Sequence, residues 1–453
     1  MLTNSEFLSN NNKNFLILGI GGVSMSSIAL MLQKQGYNVH GYDSTHGAFT
    51  EIVERHGIPV VYSEENIDTS NVACAVYTSA IKEDSSLLTG LRKAGIKCIV
   101  RAEFLGEMMK SFKNRIGVSG THGKSTVSGM ISSIFIEDKR DPTVMIGAGL
   151  RGLEGGFRAG GTSDYIFEAC EYRDSFLSFS PTVSVVLNVE LDHTDYFKNL
   201  GQMKDSFTSF MNIASDNGGI SVVNLDSENA FCCSKKSRSP VFYYSVSNTN
   251  AAIYAKNIIF KKGCASFGVV AEGNDFCHVS LSVLGEFQVS NALAAISVAY
   301  LSGISARSIE NALSSYTGVA RRFEFRKHVN GAEVRDDYAH HPDEIRATLD
   351  AVKNAGYNRI FVVYQPHTFT RTHDLFNSFV SAFEGCDEVV FADIYAAREK
   401  NRFGITSLDL ANATPNGKYV GDFSRISEYF KEKLSKDDLL IIMGAGDLIN
   451  LNI

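Results

Sequence analysis

The 453-residue chain lacks the features of membrane, secreted and linker-rich proteins. It has no apolar run near the ~18 residues that cross a bilayer, and its first residues, MLTNSEFLSNNNKN, carry no apolar signal segment. Its eight cysteines form no C-x-x-C pair, unlike a disulfide framework or a zinc site. Its seven prolines are too few for rigid extended linkers. We therefore expect a cytoplasmic protein with reduced, mostly buried cysteines and no membrane insertion.

Positive charge is not in excess either. Lys and Arg number 43 against 50 Asp and Glu, the net charge is -7, and no basic stripe runs along the chain, which argues against nucleic acid as a partner. With 44% hydrophobic and 21% charged residues, the balance is that of an ordinary globular protein. At ~100–200 residues per domain, the length indicates about three domains, in a monomer or a homodimer.

The alternation of apolar strands and helical segments predicts an α/β protein of three domains, at 1–107, 108–318 and 319–453. The first and third are predicted to be Rossmann-like. The central domain is predicted to be an α/β core built on a phosphate-binding loop, with strands near 142–147, 164–169, 183–189 and 219–224. Short strand-like pieces between 240 and 285 predict a small antiparallel β appendage to the central domain.

The first domain opens with a buried strand over 14–20, a glycine turn, a helix from about 24 to 35 and a strand ending at Asp43. The turn, Gly19 to Ser24, matches two glycines of the dinucleotide pattern G-x-G-x-x-G, and Asp43 follows about 20 residues on. This pattern indicates a nucleotide phosphate at a helix N-terminus. A tight turn without a ligand and an NAD-linked dehydrogenase both remain open at this point.

The run GVSGTHGKST, residues 117–126, predicts a second phosphate loop, here for ATP. It lies between a short apolar strand at 114–119 and a helix, so backbone N–H groups would surround the phosphates. Lys124 would reach the β- and γ-phosphates and Ser125 would bind Mg²⁺. The strict pattern needs a glycine at Val118. The predicted nucleotide contacts are Gly117, Ser119, Gly120, Thr121, His122, Gly123, Lys124, Ser125 and Thr126.

Acidic side chains follow two further predicted strands of the central domain. Glu168 and Glu171 come directly after one strand, in the crevice where open α/β sheets bind ligands, and a carboxylate there could hold Mg²⁺. The alternative is a solvated pair of glutamates. The other strand is followed by Asn188, Glu190, Asp192, His193 and Asp195. For His193 a structural, hydrogen-bonded role is the competing interpretation.

Two phosphate loops in separate domains weigh against a dehydrogenase. They favour an enzyme that joins a nucleotide-carrying substrate to a second molecule at the expense of ATP. A nucleotide sensor without turnover remains a further hypothesis.

Seven motifs, in order across all three domains, resemble the Mur ligase family: GTHGKST, EACEYRDSFL, LDHTDYF, GVARRFEF, DDYAHHPDE, YQPHTFTRT and DIYAAREK. The resemblance implies ATP-dependent ligation of L-alanine to the lactyl carboxylate of UDP-N-acetylmuramate, through an acyl phosphate, in peptidoglycan synthesis. The cell wall, cell shape and cell division would depend on that product. The last three motifs separate this activity from that of ligases adding later residues. A Mur-type ligase adding another amino acid or a preformed peptide to the same nucleotide sugar is the alternative.

The resemblance also implies roles for individual residues. Lys124 and Ser125 would contact ATP phosphate and Mg²⁺, Glu168 one Mg²⁺ and His193 a second. Asn291 would belong to the ATP site, while Gln288 stands where the family has an asparagine. From the third domain, Arg322 would lie near the transferred phosphate and Asp337 near the ATP ribose or the loop lysine. Closure of that domain would then complete the site.

The remaining predicted residues concern the other two substrates. His367 and Arg371 would position the amino acid and the muramoyl group. His340 and His341, before Pro342, could simply cap a helix. The residues expected to hold the UDP-sugar are Gly21, Gly22, Ser24, Met25, Ser26, Asp43, Ser79 and Arg101.

Overall fold

The computed structural model describes residues 14–453 except 79, 148, 151, 152, 154, 155, 162, 194, 195, 354 and 398. The chain forms two compact units. The first runs to Ala255 and includes Val269–Cys277 and Asn291–Ala312; the second comprises Lys256–Gly268, His278–Ser290 and Leu313–Ile453. No helix among the described residues combines the length and apolarity needed to span a bilayer.

The first sheet has five parallel strands in the order β3-β2-β1-β4-β5. Its strands are β1 Asn14–Leu18, β2 Asn38–Tyr42, β3 Val60–Val61, β4 Cys74–Tyr77 and β5 Lys97–Val100, and its helices are α1 Val23–Lys34, α2 Ala48–Arg55, α3 Ser86–Lys93 and α4 Arg101–Met109. After Asn14, strand β1 is apolar and fully buried because both of its faces are covered, and it ends where Gly19 turns with φ 82. This strand order confirms the predicted Rossmann-like fold.

The second sheet has ten strands in the order β15-β14-β13-β12-β11-β10-β6-β9-β7-β8. They are β6 Asn114–Ser119, β7 Thr143–Met145, β8 Phe157–Arg158, β9 Asp164–Glu168, β10 Val183–Val186, β11 Ile220–Asn224, β12 Val241–Ser245, β13 Ile253–Lys261, β14 Cys264–Ala271 and β15 Asn274–Leu284. The accompanying helices are α5 Lys124–Glu137, α6 Leu200–Asp216, α7 Glu228–Lys236, α8 Phe287–Leu301 and α9 Ala306–Ser315, with a 3-10 helix at Tyr172–Ser178.

The prediction of an antiparallel appendage is wrong for its first strand. β12 pairs parallel with β11, with Phe242 opposite Val222, and β13 pairs parallel with β12, with Ile253 opposite Tyr244. The reason is α7, which lies between β11 and β12 in the chain and returns it to the same end of the sheet, as a parallel crossover requires.

The third sheet has six strands in the order β16-β17-β21-β18-β19-β20. They are β16 Glu324–Val329, β17 Ala332–Asp337, β18 Ile360–Tyr364, β19 Glu388–Ala392, β20 Gly417–Gly421 and β21 Leu439–Met443. The helices are α10 Pro342–Val352, α11 Phe369–Asp374, α12 Phe376–Ala382, α13 Ser407–Ala413 and α14 Phe423–Lys433, with a 3-10 helix at Asp447–Asn450. Only β16 and β17 pair antiparallel, through the two-residue turn Asn330-Gly331, where both residues have positive φ.

Two short helices, α11 and α12, follow β18 in the third domain. They are separate because Leu375 between them has the non-helical angles φ -108 and ψ 18. The capping role of His341 is confirmed. Its Nδ1 accepts a hydrogen bond from the Asp343 N–H at 3.3 Å, and the Glu344 side chain accepts one from the His341 N–H, which completes a capping box.

Strands β6, β9 and β10 are parallel neighbours at the centre of the second sheet. Gly117 of β6 lies opposite Phe167 of β9 and Ser184 of β10. The segments that follow these three strands therefore leave the sheet at the same edge, which is where open α/β sheets bind ligands.

Candidate active site

The segment that joins β6 to α5 can be built only with glycine at two positions. Gly120 has φ 148 and Gly123, the N-cap of α5, has φ 88. A Cβ on Gly123 would lie 2.9 Å from Asn291 Oδ1, and one on Gly120 would lie 3.0 Å from Leu187 Cβ. This close packing leaves the N–H groups of the first turn of α5 facing the loop, as an anion site requires.

The segment after β10 holds this loop in place. His122 N–H donates to Asn188 Oδ1 at 2.8 Å, and Asn188 Nδ2 donates back to the His122 carbonyl at 3.1 Å. Thr121 and Glu190 exchange a second pair: the Thr121 hydroxyl donates to the Glu190 carbonyl at 3.1 Å and accepts from its N–H at 2.9 Å. The loop is thus fixed by the protein's own side chains.

Lys124 forms an ion pair with Glu171. Its ammonium lies 3.1 and 3.0 Å from the two carboxylate oxygens and also donates to the Gly120 and Thr121 carbonyls. Burial lowers the pKa of Lys124, but Glu171, together with Cys170 and Glu168, outweighs it and raises the pKa above its usual value. The lysine therefore stays charged in a largely buried position.

Glu171 is the residue whose role the sequence analysis missed. It was recognised only as one of two carboxylates after a strand, whereas the structure buries it completely against Lys124. The spacing of Glu168 and Glu171 signals a ligand-binding edge but does not say which of the two meets the lysine.

Two of the predicted nucleotide contacts, Gly117 and Ser119, lie within β6, where they contact neighbouring residues of the protein. Gly117 lies inside the strand, where a Cβ would come within 2.8 Å of the Phe167 ring. The fully buried Ser119 turns its hydroxyl to the Val185 carbonyl at 2.8 Å. Ser125 and Thr126, by contrast, lie half-buried in the first turn of α5 beside Lys124.

Glu168 and His193, the predicted metal ligands, lie near the loop but have protein partners. Glu168 Oε1 accepts from the Gly147 N–H at 2.9 Å. His193 has φ 51, and its Nε2 is 3.7 Å from Glu171 Oε1. Over the described part of the chain, no three His, Cys, Asp or Glu side chains are arranged to hold a metal ion. The oxygens of Ser125 and Glu168 are donors that suit Mg²⁺, whereas an imidazole suits softer metals better.

At the first sheet, Asp43 holds the glycine turn. Its Oδ2 accepts from the Gly21 N–H at 2.8 Å and its Oδ1 from the Thr45 N–H at 3.1 Å. Gly22 is the N-cap of α1. The structure thus brings the predicted Gly21, Gly22 and Asp43 together at one helix N-terminus.

Ser24 and Arg101 also meet. Arg101 Nη1 donates to Ser24 Oγ at 3.0 Å, and burial lowers the pKa of Arg101. The other two predicted residues of α1 face inward: Met25 is part of the hydrophobic core, and the Ser26 hydroxyl donates to the Val23 carbonyl. Ser79 lies outside the described residues, as does Asp195.

In the second unit, Asp337 organises the end of β17. Its carboxylate accepts from Ala339 N–H at 2.7 Å, Phe323 N–H at 3.0 Å and the Thr348 hydroxyl at 3.4 Å. Burial raises the pKa of Asp337 to about 6, against the opposing effects of Arg322 and these amides. Both carboxylate oxygens of Asp337 therefore accept a hydrogen bond from a backbone N–H group.

Arg322 lies next to this turn. Its Nη1 is 3.5 Å from Glu344 Oε1, and its guanidinium lies 5.5 Å from the centre of the Tyr338 ring. The structure therefore brings Arg322 and Asp337 to the same end of the third sheet.

Among the predicted site residues that the structure describes, His367 and Arg371 alone contain a buried polar atom without a hydrogen-bond partner. His367 Nδ1 and Arg371 Nη1 are buried and have no hydrogen-bond partner among the described residues. Burial, with the charge of Arg371, lowers the pKa of His367, so its imidazole is neutral at pH 7. The ring lies 5.6 Å from Tyr395 and 6.1 Å from His340. Unpaired buried polar atoms of this kind indicate a site for a polar ligand.

A Rossmann-like sheet, a sheet with a glycine loop between β6 and α5, and a third mostly parallel sheet define this protein as a multidomain α/β protein. Family models match nearly all of it: "Mur ligase family, catalytic domain" at 14–113, "Mur ligase middle domain" at 118–299 and "Mur ligase, glutamate ligase domain" at 321–446. The chain belongs to the Mur ligase family.

Individual relatives are similar over almost their full length. A UDP-N-acetylmuramate–L-alanine ligase of Clostridium acetobutylicum is 40% identical, covering 97% of this chain and 96% of the relative. One of Acetivibrio thermocellus is 41% identical, covering 97% and 94%. The crystal structure of a UDP-N-acetylmuramate-alanine ligase from Thermotoga maritima matches with a TM-score of 0.80 at 25% identity, covering 96% of both chains. A murein peptide ligase from Psychrobacter arcticus shares the fold, with a TM-score of 0.69 at 22% identity over 97% of both chains.

Proposed function

We propose that the protein uses ATP to join L-alanine to the lactyl carboxylate of UDP-N-acetylmuramate, in peptidoglycan precursor synthesis. The observation that carries this proposal is the 40% identity, over 97% of the chain, to a ligase named for that reaction. The phosphate loop, held ready by Asn188 and Glu190, supports it independently. The reaction takes place in the cytoplasm.

The loop fits a triphosphate. Gly120 and Gly123 have positive φ, and this backbone course leads directly into α5, whose first N–H groups can bind phosphate oxygens. Lys124 supplies a permanent positive charge there. Bound Mg²⁺ would neutralise further phosphate oxygens, with Ser125 and Glu168 as oxygen donors and His193 nearby.

The chemistry requires activation of a poor electrophile. A carboxylate does not react with an amine in water. A lactyl carboxylate oxygen therefore first attacks the γ-phosphorus of ATP, the bond to the β-phosphate oxygen breaks, and ADP leaves, which gives an acyl phosphate. The neutral amine of alanine then attacks the acyl carbon, and phosphate leaves. Phosphoryl transfer needs mainly positioning and charge neutralisation, which are the roles of Lys124 and Arg322. No side chain has to act as a nucleophile.

The other substrates have their own residues. The helix N-terminus at Gly21 and Gly22, with the Ser24–Arg101 pair, would hold the UDP-sugar. His367 and Arg371 offer the amino acid polar atoms that lack partners within the described chain. A carboxylate bound by Arg371 would leave the amine of the amino acid free to react.

The test is release of phosphate from Mg-ATP with UDP-N-acetylmuramate and each amino acid in turn. Alanine should give the highest rate. Lys124→Ala should abolish release while leaving binding of the UDP-sugar intact, since the first sheet does not contain the loop. Lys113→Ala removes an exposed lysine just before β6 and is the matched control.

Several outcomes would contradict this function. Turnover with a preformed peptide but not with alanine would assign the related ligase activity. ATP binding without turnover for any acceptor would leave a nucleotide sensor, and a nicotinamide-dependent reaction that survives Lys124→Ala would indicate an oxidoreductase.

A further inference from the structure

A cavity of about 640 Å³ lies within the second unit. Its wall is formed by the β13–β14 turn, the end of β15, the β16–β17 hairpin and the segment after α10. No residue of the phosphate loop, 117–126, is among its described lining residues. The volume is in the range of small-molecule sites. Of the residues assigned to the proposed reaction, Arg322 alone is among the described lining residues.

Arg335 of β17 has an unused donor at this cavity. Its Nη1 donates to the Phe323 carbonyl at 2.8 Å, its Nη2 donates to Glu333, and its guanidinium stacks 4.6 Å from the Phe323 ring. Its Nε is buried and has no hydrogen-bond partner among the described residues. A buried charged donor without an acceptor is costly, so a ligand that supplies an acceptor there would be bound favourably.

Three acids line the wall: Asp437 is exposed to solvent, and the other two, Glu333 and Asp438, are paired. Glu333 also accepts a hydrogen bond from the Tyr357 hydroxyl, in addition to its contact with Arg335. Asp438 is bound by Arg359 through both oxygens, at 3.1 and 2.6 Å. The negative charges of Glu333 and Asp438 are therefore largely compensated.

Lys262 brings a second positive charge to the same wall. It sits in the tight β13–β14 turn, where it has φ 49 and the next residue, Gly263, has φ 78. Positive φ at both positions fixes the course of the turn that presents Lys262. Lysine is a common phosphate ligand because its ammonium acts as a point charge.

We propose that this cavity binds a small metabolite through a phosphoryl group placed between Arg335 and Lys262. A carboxylate is bound best by the two-point fork of an arginine, and the fork of Arg335 is occupied because Nη2 is bonded to Glu333. A phosphoryl group has more oxygens and more charge, so it can accept from the single Nε donor and from a lysine in another direction. The site is separate from the predicted nucleotide loop.

The test is hydrogen–deuterium exchange of the full-length protein with inorganic phosphate or succinate at matched ionic strength, without nucleotide. Phosphate should slow exchange in peptides covering 262–264, 331–335 and 355–358, with a saturating dependence on concentration. Succinate should protect them much less. Lys262→Asn removes the charge but keeps a residue that tolerates positive φ, and it should raise the half-saturating phosphate concentration about tenfold.

The neighbouring Lys261→Asn makes the same charge change outside the lining and should behave as the wild type. Arg335→Gln should lose the protection, and unchanged exchange of peptides covering 388–392 and 417–421, which belong to the same unit as Arg335, would show that this variant is folded. Protection only at 120–126, protection equal with succinate, or protection insensitive to Lys262→Asn would each overturn the proposal.

Discussion

The buried polar groups of the phosphate loop have hydrogen-bond partners within the protein, whereas two buried atoms of the His367–Arg371 cluster have none among the described residues. In the loop, Lys124 has Glu171 and two carbonyls as partners, and the backbone is tied to Asn188 and Glu190. In the cluster, His367 Nδ1 and Arg371 Nη1 have no partner in the described chain. The loop is stabilised by the fold itself, whereas the cluster lacks acceptors that a ligand can bring. One region is built before binding and the other is completed by it.

The largest expected effect comes from breaking the ion pair of the loop. Lys124→Met should lower the free energy of unfolding by about 3–5 kcal/mol, because Glu171 would remain buried without its counter-charge. Urea unfolding at pH 7 measures this. The double variant Lys124→Met, Glu171→Gln should recover much of the loss, since no unpaired charge is then left. Equal losses in the single and double variants would mean that the pair does not account for the stability.

Asp337 should give the next largest effect, as a dependence of stability on pH. Its pKa of about 6 in the folded protein exceeds its ordinary value of 3.8, so the folded state keeps this proton to a higher pH than the unfolded chain does. Its contribution is complete below about pH 4 and is lost as the pH rises through about 6, a change of about 2–3 kcal/mol.

Urea unfolding from pH 4 to 7 would show this loss as the difference between the wild type and Asp337→Asn, which cannot titrate. As the pH rises from 4 to 7, the free energy of unfolding of the wild type should fall by about 2–3 kcal/mol relative to that of the variant. Curves that run parallel from pH 4 to 7 would contradict the burial of this carboxyl as the cause.

Unlike Lys124→Met, the variant Arg371→Met is not expected to lower the free energy of unfolding. Arg371→Met removes a buried donor that lacks a partner, so the free energy of unfolding should stay the same or rise by about 1 kcal/mol. The KM for the amino acid should nevertheless increase at least tenfold, with the KM for ATP nearly unchanged. Steady-state phosphate release and urea unfolding test the two parts. A strong loss of stability would contradict this prediction. It would mean that Arg371, like Lys124, stabilises the folded protein through its own contacts.

The smallest effect is expected at Ser119. Ser119→Ala removes one buried hydrogen bond to the Val185 carbonyl and should cost about 1 kcal/mol of stability without changing the KM for ATP. Thr121→Ala, one turn of the loop further on, is a useful comparison because its hydroxyl bonds Glu190 in the loop itself. A raised KM for ATP in Ser119→Ala alone would instead support the nucleotide contact that the sequence predicts for the Ser119 side chain.

The fold followed from patterns that are local in the sequence. Apolar strands next to glycine turns, such as NFLIL before Gly19, and the run GKST before an apolar helix were enough to place the Rossmann-like unit and the phosphate loop. The direction of β12 was not predictable in this way, because a short apolar strand has the same pattern in parallel and antiparallel pairing.

The candidate site was harder to predict from the sequence, because its contacts join segments that are far apart in the chain. Glu171 meets Lys124 across 47 positions, and no spacing rule shows that it is Glu171 and not Glu168 that becomes buried. Ser119 and Met25 are predicted as ligand contacts because they lie in binding motifs, and the structure adds that both side chains turn into the protein. For His367 and Arg371, the resemblance gave the positions and only the structure showed the missing partners.

Glu171 also lies 3.7 Å from His193, so one carboxylate faces two basic groups. A ligand that draws Lys124 away frees Glu171 to interact more strongly with His193, and a ligand that recruits His193 strengthens the hold of Glu171 on the lysine. Such coupling is reciprocal in free energy, so occupancy at the loop and at the His193 segment must change each other's affinity by the same factor.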